Sequence, residues 1–420
     1  MYTALFFTGM LGIGAPIAFV LMLSALVFIL VSGNQAMLAS FAQQLFGGVE
    51  SYGLLALPLF MLVGELMNEG GIARRLIRSS EAMIGGVSGG LAYVNLAANV
   101  MMASILGSAA AQITVMTKVV VPEMEKSGYD KEFAVALTAA AGLLGPIIPP
   151  SMLFIIYGVI AQVSIGDMFI GGVAPGLVLS LAFLAVIWMH GRRRGFPPGR
   201  SEPMRARLRH VRSALPAAII PLVIVGSILT GLATPTESAA LAAVATLVVG
   251  LVVYRELDAR QIWPALVRTA INSSIVLTLI AGAQVFGWVI SVQQVPQAIA
   301  AWLLAATTDP VMFFLMVNGF LLVVGMFLDP IAALIILTPV LLPIATDSYH
   351  IDPIHFGVVI CVNLTLGLLT PPVGSGLFIA TALTGVKPER IARAALPFIL
   401  AAAAIILLIT IEPRLVTALL

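Results

Sequence analysis

Two short stretches combine glycine and proline in a way that frees backbone oxygens to bind an ion. They are Gly142–Ser151 (GLLGPIIPPS) and Gly367–Gly376 (GLLTPPVGSG). Proline removes a backbone donor and clashes with a preceding carbonyl, so neither stretch can stay a continuous helix. The freed carbonyls are hard oxygen ligands, which suit a small cation such as sodium. They lie around Gly142, Gly145, Gly367 and Thr370. A plain proline kink is the alternative, but two kinks in register favour ion sites.

The composition shows what kind of element must carry these stretches. Of 420 residues, 60% are hydrophobic and 10% are charged, whereas a soluble domain is about 25% charged. This excludes a soluble enzyme, a disordered chain and a coiled coil. Apolar runs of about 20 residues predict membrane helices and not the alternating pattern of a barrel. The single Cys361 excludes a disulfide framework, and no catalytic dyad or nucleotide-binding loop supports an enzyme or a primary pump.

The apolar runs predict an all-α polytopic membrane protein. The expected crossing helices lie at roughly 4–31, 53–68, 134–162, 171–190, 215–232, 236–254, 269–291, 355–383 and 395–411. Two further apolar stretches, 90–122 and 311–345, are interrupted by polar or helix-breaking residues. We interpret each of them as a re-entrant helical hairpin, since counting either as a crossing breaks the charge alternation described next.

The basic residues give the orientation. With a cytoplasmic N-terminus, every one of the 21 lysines and arginines except Arg414 falls on the cytoplasmic side, as the positive-inside rule requires. The C-terminus is then periplasmic. The first hairpin opens toward the cytoplasm and the second toward the periplasm. Segment 1–31 lacks a basic start and a cleavage site, so we interpret it as a helix and not a signal peptide.

The two halves of the chain repeat one order of elements: a hairpin, a short polar loop and a broken helix. Because the hairpins open to opposite sides, we predict inverted structural repeats, and paired broken helices in such repeats mark a transporter binding site. Amphipathic stretches, Ile72–Ile84 and Pro296–Thr307, precede the hairpins. They are either interfacial arms that brace a moving domain or ordinary connecting helices.

The hairpin tips carry polar residues. Ser104 and Ser108 lie one helical turn apart in the first tip and share a face. At an offset of 221 residues, Gly325 and Asp329 occupy the second tip. A carboxylate at membrane depth is expected to face a cavity, a cation or a donor, although Asp329 also suits a helix N-cap. We expect the substrate contacts to be Ser108, Asp329, Asn363 and Thr365.

No lysine or arginine lies at mid-membrane in this topology. An anionic substrate therefore has no buried basic clamp. Its charge must be met by half-helix N-termini, hydroxyls and bound cations. Cation coupling is then a physical need.

Four segments together resemble the large membrane subunit of TRAP transporters, the tripartite ATP-independent periplasmic, DctM-like family. The resemblance covers nearly the whole chain. The segments are GMFLDPIAALIILTPVLLP (Gly325–Pro343), GLLTPP (Gly367–Pro372), GPIIPPS (Gly145–Ser151) and ATPTESAA (Ala233–Ala240).

The resemblance implies an elevator-type, sodium-driven importer of a small carboxylate in the bacterial inner membrane, with a scaffold domain and a transport domain that holds both hairpins. It implies two protein partners, a separate small four-helix membrane subunit and a periplasmic substrate-binding protein, and neither a cofactor besides sodium nor a nucleic acid. The expected organisation is 1–68, scaffold helices; 69–190, first repeat; 191–214, basic cytoplasmic loop; 215–291, scaffold helices and the start of the second repeat; 292–420, second repeat.

The resemblance also implies two sodium sites. The first would use Ser104, Ser108, Gly142, Gly145 and Pro146. The second would use Gly325, Asp329, Gly367 and Thr370. The family's first tip usually contains S-G-S, whereas this chain has Leu106-Gly107-Ser108. The first site is therefore either rebuilt with Ser104 or weakened.

Two other functions remain open from the sequence. One is a self-sufficient sodium/carboxylate symporter that needs no binding protein. The other is an ion channel or membrane scaffold protein. Uptake that depends on the binding protein would distinguish a TRAP-type transporter from the self-sufficient symporter. Conductance without saturation would identify a channel.

Overall fold

A computed structural model describes residues 2–84, 86–199 and 203–420, and these ranges form an all-α fold. The helices are α1 Tyr2–Gly12, α2 Ile17–Ser32, α3 Gln35–Gly47, α4 Ala56–Glu69, α5 Ile72–Ile84, α6 Gly90–Leu106, α7 Ala109–Lys126, α8 Lys131–Gly142, α9 Met152–Ala161, α10 Ile165–Arg194, α11 Met204–Leu229, α12 Pro235–Val248, α13 Ala259–Val292, α14 Val295–Ala306, α15 Pro310–Phe327, α16 Pro330–Pro343, α17 Pro353–Gly367, α18 Ser375–Thr384, α19 Pro388–Ile411 and α20 Arg414–Thr417. A 3₁₀ turn, Tyr52–Leu55, leads into α4, and π-helical turns continue α12 to Val253 and α16 to Ser348.

The helices include enough long apolar segments for a multi-pass membrane protein. Within the described residues, seven are long and apolar enough to cross a membrane, or eight if the pair α3 and α4, bent by 45°, forms one span. The arms α15 and α16 are among the seven, although the sequence predicts a re-entrant hairpin there. The broken pairs α8/α9 and α17/α18 are not, since each piece is too short alone.

Three sequence predictions have wrong boundaries. The predicted helix 4–31 is two helices, because Pro16 and the positive φ of Gly14 (+75°) interrupt it. The predicted loop 32–52 contains α3, which begins where the Asn34 side chain accepts hydrogen bonds from the Ala36 and Met37 amides at 3.1 and 3.3 Å. The predicted basic loop 191–214 is shorter, since α10 continues to Arg194 and α11 begins at Met204.

Both halves contain a helical hairpin followed by a broken helix. In the first half, α6 and α7 meet at Gly107 and Ser108, and residues 143–151 separate α8 from α9. In the second half, α15 and α16 meet at Leu328 and Asp329, and residues 368–374 separate α17 from α18. Each break contains a cis Pro–Pro bond, Pro149–Pro150 and Pro371–Pro372.

Contacts at the two ends of α19 give the relative direction of the two broken helices. At its start, the Arg390 guanidinium pairs with Glu132 at the start of α8, at 3.1 Å. Near its end, the Ile409 carbonyl lies 2.7 Å from Nε2 of His355, at the start of α17. Helices α8 and α17 therefore begin at opposite ends of α19, which is 24 residues long.

The packing between the two halves is reciprocal. The second hairpin arm of the first half, α7, packs on the post-break helix of the second half, α18. The second arm of the second half, α16, packs on the post-break helix of the first half, α9. In each half the first arm packs on the broken helix that follows it, α6 on α8 and α15 on α17. The hairpins and breaks thus form one interlocked core.

Candidate functional site

The two hairpin tips meet at one small cavity. Its volume is about 40 Å³, and its lining includes Ser108 from the first tip and Asp329 from the second. Each break also contributes a residue, Pro146 from the first and Leu368 from the second. Four segments that are far apart in the sequence therefore converge on a space of a few water molecules or ions.

A larger cavity of about 530 Å³ adjoins the small one and shares Ser108 and Met152 with it. It extends between α7 and the helices α4 and α13. Its wall is mainly apolar, and its polar lining residues are Glu65, Asn68, Ser108, Thr114 and Asn272. Among the described residues, no lysine or arginine lines it. This volume lies in the ordinary range of small-molecule sites.

The first break is held against the first hairpin tip by backbone contacts. The Met152 amide donates to the Gly107 carbonyl at 3.2 Å. Gly107 has a φ of +58°, and a Cβ there would lie 2.7 Å from the Pro150 carbonyl oxygen. Gly145 is also confined, because its Cβ would lie 2.6 Å from Gln112 Oε1 and 3.2 Å from the Ser108 carbonyl oxygen. Glycine is thus required where the tip and the break touch.

The second break repeats this arrangement. The Gly374 amide donates to the Met326 carbonyl at the end of α15, at 3.0 Å. Gly367 lies directly against Gly325, and a Cβ on Gly367 would lie 2.5–2.6 Å from three backbone atoms of Gly325. The Gly367 carbonyl accepts the Thr370 amide at 3.1 Å, as the Gly142 carbonyl accepts the Gly145 amide at 3.2 Å in the first break.

Several predicted ligand oxygens have coordination capacity left. In the described part of the chain, the carbonyls of Gly145, Gly325 and Thr370 accept no hydrogen bond. The carbonyls of Gly142 and Gly367 accept one each and keep a second lone pair. The Pro146 carbonyl accepts the Ser151 hydroxyl at 2.5 Å. Buried backbone oxygens are normally paired, so this set can accept a cation, with Pro146 the least available member.

The predicted hydroxyl groups differ in where they point. Ser108 lines both cavities and forms no side-chain cap on α7. Ser104 instead donates back to the Met101 carbonyl at 2.8 Å and lines neither cavity. Thr370 donates to the Leu366 carbonyl at 3.0 Å. Such local bonding is the usual behaviour of serine and threonine in apolar helices.

The two predicted polar residues of α17 lie away from both cavities. Asn363 donates to the carbonyl and side-chain oxygens of Asn318 at 3.1 and 2.8 Å. Thr365 donates to the Cys361 carbonyl at 2.6 Å. Both are buried and neither lines a cavity at the tips. The structure therefore places both in hydrogen bonds away from the two cavities, and their role as substrate contacts stays a prediction.

The position of Asp329 fits both of its predicted roles, as a helix N-cap and as a carboxylate that faces a cavity. Its Oδ1 accepts the Ile331 amide at 2.9 Å, so it caps α16. The residue is also exposed and lines the small cavity. The two tips are consequently unlike. The N-terminus of α16 faces its own carboxylate, whereas that of α7 has no side-chain cap.

A buried amide network supports the first tip and was not predicted from the sequence. The Asn95 amide donates to the Thr138 hydroxyl at 2.7 Å, and the Asn99 amide donates to Asn95 Oδ1 at 2.8 Å. The Gln112 amide donates to the Asn99 carbonyl at 2.7 Å. The i, i+4 spacing of Asn95 and Asn99 in an apolar helix was the available signal.

A second unpredicted feature is a charge cluster at the larger cavity. The Arg268 guanidinium donates to Glu65 Oε2 at 2.9 Å and to Glu69 Oε1 at 2.6 Å. It joins α13 to α4, and Glu65 lines the cavity. Arg268 and Glu65 are 203 positions apart in the sequence, so the sequence alone does not reveal this pairing.

Comparisons with known proteins agree with this architecture. The family described as "Tripartite ATP-independent periplasmic transporter, DctM component" matches residues 4–415. The isethionate TRAP transporter permease protein DctMQ of Oleidesulfovibrio alaskensis is 38% identical over 98% of this chain, which spans 64% of that relative's length. The C4-dicarboxylate TRAP transporter large permease protein DctM of Pseudomonas aeruginosa is 38% identical over 89% of this chain and 87% of its own.

A solved structure shares the fold. The crystal structure of the Alcanivorax borkumensis YdaH transporter, described as having an unusual topology, aligns with a TM-score of 0.67. The alignment covers 90% of this chain and 88% of that one, at 16% sequence identity. The family match and the permease relatives confirm the resemblance given by the sequence segments. The chain therefore belongs to the DctM-component family of tripartite ATP-independent periplasmic transporters.

Proposed function

We propose that this chain is the membrane subunit that moves a small organic acid anion across the bacterial inner membrane together with sodium. It would act with a small four-helix membrane subunit and a periplasmic binding protein. The observation that carries the proposal is the convergence of both hairpin tips and both breaks on one pair of adjoining cavities. Paired discontinuous helices at one site are typical of secondary transporters.

The sizes of the two cavities favour a different occupant for each. A volume of about 40 Å³ holds an ion or a few waters, whereas about 530 Å³ accommodates an organic acid of several carbon atoms. Because the two spaces share Ser108, an ion in one and an anion in the other would be close enough to attract each other. This proximity is the physical basis of the proposed coupling.

The helix ends provide a place for the anion. The N-terminus of α7 opens on both cavities through Ala110, and no side chain caps it. A helix N-terminus carries about half a positive charge. At the other tip Asp329 already occupies the N-terminus of α16. We therefore assign the substrate's acidic group to the α7 end and a neutral or cationic group to the Asp329 side.

The unpaired carbonyls support two sodium sites. At the first break, Gly145 offers a free carbonyl beside the α7 start, with Gly142 as a second donor. At the second, the carbonyls of Gly325 and Thr370 are free and Gly367 lies against Gly325. A sodium ion held by these oxygens would lock each tip to its break.

The directions of the broken helices support inverted repeats. Helices α8 and α17 begin at opposite ends of α19, and the two halves contact each other reciprocally. We infer that the hairpins enter from opposite sides of the membrane and that the interlocked core moves as the transport domain of an elevator. The ion pairs of Arg268 and Glu65 then belong to the scaffold beside which it moves.

The names of the relatives indicate the general class of substrate. Those reported above are named for isethionate and for C4-dicarboxylates, which share a small size and an acidic group. We propose an organic acid of this kind, delivered by the binding protein.

Reconstituted uptake tests the proposal. Both membrane subunits are placed in liposomes, and uptake of radiolabelled isethionate, C4-dicarboxylates and related acids is measured with the purified binding protein. The proposal predicts saturable uptake that requires an inward sodium gradient and the binding protein. Uptake without the binding protein would favour a self-sufficient symporter. Equal uptake in a potassium gradient would refute sodium coupling.

A further inference from the structure

A cavity of about 270 Å³ lies apart from the hairpin tips, between α5, α11 and the segment that joins α12 to α13. Its lining is strongly basic. The ionisable side chains that line it are those of Arg74, Arg75, Arg78, Arg209, His210 and Glu256. Four arginines thus surround one carboxylate. No role in the transport site accounts for this cluster.

One arginine of the cluster has a structural role. Arg75 donates to Glu256 at 2.7 Å, and its guanidinium lies 3.9 Å from the centre of the Tyr254 ring. Tyr254 in turn donates to the Ser213 carbonyl at 2.6 Å. The Arg75 guanidinium holds the pKa of Glu256 below its ordinary value. These contacts fix α5 against α11 and build the floor of the cavity.

The other arginines supply charge without a matching partner. Arg74 approaches Glu256 only at 3.5 Å, and its side chain is 65% exposed. Arg78 and Arg209 are exposed and form no ion pair with any residue in the described ranges. One carboxylate cannot neutralise four guanidinium groups. The cavity therefore has an excess of positive charge that favours an anion with several oxygen acceptors, such as a phosphate.

Apolar side chains on the same two helices, α5 and α11, are also exposed. Met83 of α5 is 68% exposed. Leu208 and Leu215 of α11 are 55% and 59% exposed. These apolar side chains would make no favourable contact with a soluble phosphate, whereas the acyl chains of a lipid would cover them. The amphipathic character of α5 also suits a helix that lies at the membrane interface.

We propose that this cavity binds the phosphate headgroup of an anionic phospholipid of the cytoplasmic leaflet, with Arg78 and Arg209 as the main contacts. Basic pockets between helices on the cytoplasmic side are favourable sites for such headgroups. The bound lipid joins α5, which leads into the first hairpin, to α11. Anionic lipid would thereby stabilise the connection between the hairpin and its neighbours. This site is independent of the sodium sites.

Native mass spectrometry of the full chain in detergent tests the proposal, with phosphatidylglycerol, phosphatidylcholine and glycerol 3-phosphate as separate probes. The variant R78Q/R209Q should bind phosphatidylglycerol about thirtyfold more weakly, since each arginine near an anionic lipid contributes about fivefold. The variant R193Q/R194Q is the matched control, because it loses the same charge outside the cavity, and its affinity should be unchanged. The variant R78K/R209K keeps the charge and should retain binding within about fivefold.

Two results would overturn the proposal. One is equal affinity of R78Q/R209Q and R193Q/R194Q for phosphatidylglycerol, which would mean that the cavity is not the site. The other is binding of glycerol 3-phosphate as tight as that of phosphatidylglycerol, which would identify a site for a soluble phosphate. Both readouts are independent of transport, so they stand even if the proposed substrate is wrong.

Discussion

Replacing Gly367 by alanine tests the proposed second sodium site at its tightest contact. The new Cβ would lie 2.5–2.6 Å from the backbone of Gly325, whereas ordinary contact begins at 3.4 Å. Helices α15 and α17 would have to separate by roughly 0.9 Å, the difference between 3.4 and 2.5 Å. Neither contact partner is a flexible side chain that can move aside. The carbonyls of Gly325 and Gly367 would then no longer reach one ion.

The size of the effect follows from the cost of overpacking. Inserting a methyl group into a packed core typically costs about 1–3 kcal/mol. If sodium binding must restore the original separation, its affinity falls by that amount. Since 1.4 kcal/mol corresponds to a factor of ten, the affinity should fall about 5- to 150-fold.

The assay is a sodium titration of the thermal unfolding transition of the purified chain, at constant ionic strength with potassium. A ligand that binds the folded state raises the transition temperature by mass action. Gly319 on α15, the helix that carries the contacted Gly325, is the control, because a Cβ there meets nothing within 4 Å. Gly325→Ala should be intermediate, since its closest contact is 3.3 Å. Unchanged half-saturation by sodium in a folded Gly367→Ala variant would refute the reasoning.

Three further predictions concern other parts of the chain. Ser108→Ala should raise the half-saturating sodium concentration or the KM for substrate in uptake about five- to tenfold, because the hydroxyl lines both cavities, and an unchanged value would remove it from the site. Asn95→Ala should lower the free energy of unfolding by about 1–3 kcal/mol in a chemical denaturation series, since it leaves the buried Thr138 hydroxyl without its donor. A depressed pKa means that the ionised Glu256 contributes stability above pH 4.5 and loses it as the pH falls through the lower folded-state value. Glu256→Gln should therefore lower the transition temperature slightly at neutral pH and not at strongly acidic pH, and an equal difference at both would contradict the role of Arg75.

The sequence predicts the paired helices and the breaks well, because their signals are local, whereas their re-entry into the membrane stays a prediction. Proline pairs end α8 and α17 wherever the rest of the chain lies. The amphipathic stretch Ile72–Ile84 is found as α5 with the same bounds. Family membership also follows from short segments around the breaks, which the comparisons confirm.

Side-chain partners are predicted poorly, because they depend on the register between distant helices. Asn363 is correctly placed just before a break, yet it turns toward Asn318, 45 residues away. The prediction that Ser104 and Ser108 share a helical face is wrong, because α6 ends at Leu106 and Ser108 lies in the extended turn before α7. Ser104 donates to its own helix. Helix α3 is not predicted because it lies in a segment, 32–52, without lysine or arginine, where the charge pattern indicates only a loop, and Asn34 caps it there.

Equilibrium binding of ²²Na⁺ to the purified chain, by scintillation proximity, tests the central claim most directly. The account predicts saturable binding of about two sodium ions per chain, one at each break, displaced by unlabelled sodium but not by potassium or choline. In Gly367→Ala one of the two should be lost or weakened. Absence of sodium-specific binding, or equal displacement by potassium, would contradict the account.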